Sequence, residues 1–139
     1  MSDPIQARNL LNASQRDLKA LTGMLDPQIF SDEIFGLHAQ QSVEKSLKAW
    51  LAALGEIYPY THDISRLLGR IERLDCDVSA YEYLVPYTEF AAQVRYVGMS
   101  DDAEPIDRKG VIAQVKSLYD RVNGILKSVI ENEASEEQA

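Results

Sequence analysis

Residues 31–55, SDEIFGLHAQQSVEKSLKAWLAALG, decide how this chain folds. Ala39, Val43, Leu47, Trp50, Leu51 and Leu54 recur at three- and four-residue steps, the spacing that puts an apolar stripe on one side of a helix. Gln41, Glu44, Lys45 and Lys48 recur at the same steps on an adjacent face and make a polar stripe of acceptors and cations. Ser42, Ser46, Ala49 and Ala53 form a third face of small side chains, where a second backbone can approach closely. Ser31 fits the N-cap position, Asp32 and Glu33 suit the positive end of the helix dipole, and Gly55 is a natural stop. The stretch therefore reads as one long helix with three distinct faces.

Working outward, residues on both sides repeat the helical period. Asp3 or Ser2 is placed to cap a first helix, with Pro4 in its first turn, where a missing N–H costs nothing. Ala7, Leu11, Ser14, Leu18, Leu21 and Leu25 then form a narrow seam, closed by Gly23 and the Asp26–Pro27 pair. After a loop around Tyr58-Pro59-Tyr60-Thr61, with Thr61 or Asp63 as cap, a third helix turns Ile64, Leu67, Leu68, Ile71 and Leu74 inward. A fourth segment, residues 80–96, has Leu84, Tyr87, Phe90, Ala91 and Val94 at helical spacing, with Pro86 marking a first turn or a kink. The last helix is expected from about residue 107 to 132, on a stripe of Ile112, Val115, Tyr119, Val122, Leu126 and Val129. The expectation is an all-α, up-down bundle of about five helices, with residues 1–132 as one domain and 133–139 as an acidic, frayed tail.

Composition narrows the function. The 139 residues carry 14 basic and 22 acidic side chains, a formal net charge of −8. That balance disfavours broad nonspecific binding to nucleic acid, which rests on Lys and Arg neutralising phosphates, yet leaves room for a local basic cleft. The acidic excess gathers in residues 101–107 and in the tail. The single cysteine, Cys76, excludes an intramolecular disulfide and a Cys-rich zinc site. The N-terminal stretch is polar and no apolar run approaches the roughly 20 residues that span a bilayer, so a cytoplasmic protein without a membrane partner is expected.

Several constellations remain open to more than one reading. Glu44 and Lys48 make a favourable i,i+4 pair of the kind that usually decorates a solvated face, but a cation stripe beside Gln41 also suits a phosphate or an acidic partner. His62, Arg66, Arg70 and Arg73 form a basic row on the third helix, with Asp63, Glu72 and Asp75 near enough to neutralise it. Asp101, Asp102, Glu104 and Asp107 lack the Gly and terminal Glu of a calcium loop, so no metal is assigned. Arg95, followed by Tyr96, ends an apolar-striped segment. A cation there either caps carbonyls or lines a cleft.

Three blocks in this order resemble the HEPN domain family: LHAQQSVEKSLKAWLAALG at residues 37–55, YTHDISRLL at 60–68 and AAQVRY at 91–96. The resemblance covers residues 5 to 130. It implies a helical bundle that commonly dimerises, in many members beside a minimal nucleotidyltransferase encoded as the second half of a toxin–antitoxin system. It places Gln41, Glu44, Lys45, Lys48, His62, Arg95 and Tyr96 around one ligand cleft for nucleotide or RNA, and implies no cofactor. HEPN ribonucleases carry a His four to six residues after the Arg, for metal-independent RNA cleavage. Here Arg95 is followed by YVGMSDD, and the only histidines, His38 and His62, precede it. Imidazole is the side chain suited to proton transfer near neutral pH, so the missing His moves the expectation from ribonuclease toward binding module. Two alternatives stand beside it: a divergent ribonuclease using Arg95 and His62, and a structural homodimer packed through Ser42, Ser46, Ala49 and Ala53.

Overall fold

The computed structural model describes residues 2–86 and 106–138. Helices α1 (Pro4–Thr22), α2 (Asp32–Ala53), α3 (Ile64–Glu72) and α4 (Arg108–Gln138) are joined by a short 3-10 helix at Ser79–Leu84. The chain is an all-α bundle. Backbone turns to helix where the side chains can cap it. Asp3 accepts from the N–H of Gln6, Ser31 from that of Ile34, and Asp63 from that of Ser65. Each satisfies a donor that the first helical turn leaves without a backbone partner. Gly55, at φ 81°, occupies the left-handed region just past α2, which a side chain would strain. Asp107 caps α4 through the N–H of Gly110 at 3.1 Å. A Cβ at position 110 would meet that carboxylate, so a larger residue there would displace the capping side chain.

Contacts along the helices fix their directions. The N–H of Asp3 meets the carbonyl of Ala52 at 2.9 Å, while Ser14 meets Ser42 and Ser46, so α1 and α2 are antiparallel. At the start of α4, Arg108 reaches the carbonyls of Met24 (2.6 Å) and Phe30 (2.8 Å) and the carboxylate of Asp32 (2.8 Å). Farther along α4, Asn123 meets Arg8 and Glu133 meets Ser2. α4 therefore runs with α2 and against α1. The guanidinium of Arg108 is buried and also stacks 5.0 Å from the Phe35 ring centroid. It pins the α1–α2 connection to α4 with all its charge compensated.

The core follows the expected stripes, with two shifts. On α2, Ala39, Val43, Leu47, Trp50 and Leu51 are buried, and Leu54 lies at the exposed edge. On α4 the buried positions are Val111, Val115, Leu118, Val122 and Leu126, whereas Ile112, Tyr119 and Val129 are only half-buried. Alternating three- and four-residue steps admit either register, and packing against α1 and α2 selects the one centred on Val111 and Leu118. Just past α1, Met24 rather than Leu25 closes the seam. Trp50 anchors the centre, edge-on to Tyr81 of the 3-10 helix at 6.1 Å and under the guanidinium of Arg121 at 5.3 Å.

Two further expectations change. The small-residue face of α2 does not await a partner chain, because α1 covers it. Ser42, Ser46, Ala49 and Ala53 are buried, and Ser14 Oγ reaches the carbonyl of Ser42 at 2.8 Å, its Oγ at 2.9 Å and Ser46 Oγ at 2.7 Å. Short side chains let α1 come close, and the hydroxyls satisfy one another in its shadow. A structural dimer packed through that face is thereby excluded. The last helix also continues past residue 132 to Gln138, since Glu, Ala and Gln are good helix formers and Glu133 is tied to Ser2. Of the fourth segment, the 3-10 helix and helical backbone at Val85 and Pro86 are described, while Tyr87, Phe90, Ala91 and Val94 lie outside the described residues.

Candidate functional site

The polar stripe of α2 lies beside the face of Ser42 and Ser46 that Ser14 of α1 covers, and it separates into two clusters. In the first, Glu44 is only 2% exposed although it is a carboxylate. Its Oε1 accepts from Nε2 of Gln40 at 2.9 Å, one turn earlier on the same helix, and its Oε2 faces Nδ1 of His62 at 3.0 Å. Burying a carboxylate costs several kcal/mol unless hydrogen bonds replace its water, and these two bonds do so. A carboxylate oxygen accepts, so the contact suits the tautomer of His62 that carries its hydrogen on Nδ1. The contact orients the imidazole while its side chain remains 69% exposed. Its Nε2 edge is the outward one. Neutral, that edge accepts; protonated, it donates to an anion.

The segment that delivers His62 is itself held at several points. The N–H of Glu56 returns to the carbonyl of Leu51 at 2.9 Å, and the hydroxyl of Tyr58 accepts from Nε2 of Gln6 at 2.6 Å. Nη2 of Arg70 lies 3.5 Å from the carbonyl of Ile57, and Thr61 Oγ1 accepts from the N–H of Asp63. Lys48, one turn beyond Glu44, lays its ammonium 5.8 Å from the Tyr58 ring centroid. The two oxygens of Glu44 therefore go to Gln40 and His62, not to Lys48. The expected i,i+4 pairing is replaced by two tertiary arrangements, one anionic and one cationic, at the same corner.

The second cluster gathers on Asp17 of α1. Its Oδ1 lies 3.0 Å from Nδ1 of His38 and its Oδ2 2.7 Å from Nζ of Lys45. Lys45 thus has a carboxylate partner already, whereas Lys48 does not share it. Gln41 lies between the clusters, half-buried. Asp17 and His38 were missed in the sequence. The signal was present, in that His38 stands seven residues before Lys45 on one helical face, but the acid that joins them comes from α1 and only packing supplies it. Arg95 and Tyr96 lie outside the described residues. So do Asp101, Asp102 and Glu104, and among the described residues no group of three His, Cys, Asp or Glu side chains is arranged to hold a metal.

Of the basic row on α3, Arg70 is used to hold the preceding loop, while Arg66 is exposed one turn beyond His62. Among the described residues no helix is long and apolar enough to cross a membrane. With this geometry in place, comparison with known families gives a match to the HEPN domain over residues 7–129. The chain belongs to the HEPN domain family. No curated protein and no solved structure matches it.

Proposed function

We propose that this chain is a HEPN-family binding module that takes a nucleotide or RNA phosphate on the face built by Gln41, Glu44, Lys45, Lys48 and His62, with Arg95 and Tyr96 contributed from the fourth segment. It acts as a homodimer and partners a minimal nucleotidyltransferase in a toxin–antitoxin-type pair. The observation that supports the reading is the buried Glu44 carboxylate holding an exposed imidazole. A carboxylate in that position adds little to the fold that an apolar side chain would not, but it holds an imidazole whose second nitrogen is left for a ligand. Calorimetric titration of ATP and of a short oligoribonucleotide tests it. Binding to wild type that weakens about tenfold or more in His62→Ala and Arg95→Ala is expected. No heat of binding to wild type with either ligand contradicts the reading.

The same pair favours a second reading. A carboxylate that fixes the tautomer of an imidazole is the arrangement a general acid or base requires. In a divergent metal-independent ribonuclease, His62 would exchange the proton at Nε2 while Arg95 stabilised the charged phosphate. Incubation of the purified protein with RNA in chelator separates the two. The ribonuclease reading requires cleavage that His62→Ala and Arg95→Ala abolish, and equal cleavage by the variants rejects it.

A further inference from the structure

Helix α3 divides its residues between two sides. Ile64, Leu67, Leu68 and Ile71 are buried, while Arg66, Arg70 and Arg73 recur at four- and three-residue steps on the opposite side, Arg66 and Arg73 exposed. The three arginines span about 10 Å of helix. Asp63, Glu72 and Asp75 are their acidic neighbours in sequence, yet Asp63 accepts from the N–H of Ser65 at 3.0 Å. Among the described residues no carboxylate reaches ion-pair distance of any of the three guanidinium groups. In a chain of net charge −8, cationic charge is concentrated where nothing inside the fold balances it. Arg70 joins this row to an aliphatic side chain. Its Nη2 lies 3.5 Å from the carbonyl of Ile57, whose side chain is 88% exposed. The backbone there is held on both sides, by the N–H of Glu56 on the carbonyl of Leu51 and by Tyr58 on Gln6. An isoleucine kept in water beside a cation adds nothing to the core, and covering it on association is favourable.

We propose that the outer face of α3, together with Ile57, docks an acidic amphipathic helix of a partner protein. Carboxylates at three- and four-residue steps on that helix meet Arg66 and Arg73, and an aliphatic side chain covers Ile57. Carboxylates at those steps share one face of a helix, as the arginines do. The guanidinium fork pairs with a carboxylate through two parallel hydrogen bonds, and complementary charge sets partner choice and encounter rate. A phosphate backbone would use the arginines and leave Ile57 bare, which favours a polypeptide. The chain's own tail offers carboxylates but, from Glu131 on, no apolar side chain larger than alanine, which favours another protein over a second copy. The inference goes beyond the function proposed above and does not depend on a ligand at α2.

Fluorescence anisotropy with the full-length protein tests this. The probe is a labelled helical peptide of about 18 residues with Leu along one face and Glu flanking it at three- and four-residue steps. The control peptide has Gln in place of every Glu. Wild type should bind the acidic peptide about tenfold or more tightly than the control, and added salt should weaken that binding. Arg66→Glu combined with Arg73→Glu should lower the affinity about tenfold or more, and Ile57→Ser about fivefold. All three positions are exposed, so the variants should keep the circular dichroism of wild type. No binding of the acidic peptide to wild type, or binding that the charge reversals leave unchanged, overturns the proposal. Two reassignments overturn it as well. A mass by light scattering that falls in the charge-reversed variant gives the face to a second copy. A short oligoribonucleotide that binds wild type and is lost with the same variant, while the peptide does not bind, gives it to nucleic acid.

Discussion

Two polar regions lie on opposite flanks of α2 and are built to opposite ends. Where α1 crosses the helix, Ser14, Ser42 and Ser46 are all inaccessible and hydrogen-bond to one another. Where the α2–α3 loop meets it, Glu44 is almost as buried, but its partner His62 stands mostly in water. The first network is closed, with every hydroxyl satisfied inside the fold. The second terminates on an outward nitrogen. Burial alone does not distinguish a structural polar group from a functional one. The distinction is whether the chain of hydrogen bonds ends within the molecule or at its surface.

That contrast is broken most severely from the closed side. Ala49→Leu forces a larger side chain into the contact between α1 and α2 and should destabilise the fold by about 3 kcal/mol. Chemical denaturation would register it as a lower midpoint with unchanged slope. Unchanged stability would contradict the close packing of α1 on this face. Ser14→Ala should cost about 1 kcal/mol, because Ser46 loses its buried hydroxyl partner while Ser42 keeps its bond to the carbonyl of residue 14. Ligand affinity should stay as in wild type.

Changes at the open corner should divide the other way. Glu44→Gln should alter stability by less than about 1 kcal/mol, since His62 remains hydrated when its carboxylate partner is lost, while ligand affinity falls about tenfold. If stability fell as far as in Ala49→Leu with affinity intact, Glu44 would belong with the serines as a structural group. The smallest effect concerns Asp77, before the 3-10 helix. The side chain and backbone of Ser79 donate to its carboxylate at 2.7 and 3.0 Å and hold its pKa below the ordinary 3.8. A lowered folded-state value contributes stability that is present above pH 3.8 and is lost as the pH falls through the folded value. Ser79→Ala should slightly reduce stability above that pH, with the difference from wild type vanishing in stronger acid. The carboxylate is fully exposed, so acid titration of the unfolding midpoint should show only a shallow trend.

Periodicity made the fold legible. The buried face of α1, the centre of α2 and all four core positions of α3 lie where three- and four-residue steps put them, because burial of a helix face leaves a pattern in its own sequence. The register of α4 was ambiguous by one residue, as Val111 and Ile112 suit the pattern equally and neighbouring helices decide between them. The site was legible only in part. Glu44, Lys45, Lys48 and His62 were marked by their spacing and by family likeness, but their partners were not. Lys45 belongs to Asp17 and Lys48 to Tyr58, in contacts that cross 28 and 10 residues of chain and leave no local trace. The serine face was visible as a place for close approach, yet spacing cannot say whether the approaching helix comes from the same chain or another.

The central claim is that Glu44 holds His62 with its Nε2 edge turned outward to a ligand. Long-range proton–nitrogen correlation spectra of the imidazole, recorded during titration with a short oligoribonucleotide or a nucleotide, observe both ring nitrogens of His62 directly. The account predicts a neutral ring protonated at Nδ1, an Nε2 resonance that moves on ligand addition, and loss of the tautomer preference in Glu44→Gln. A ring protonated at Nε2 in the free protein, or an Nε2 resonance that stays fixed while ligand is bound, would contradict it.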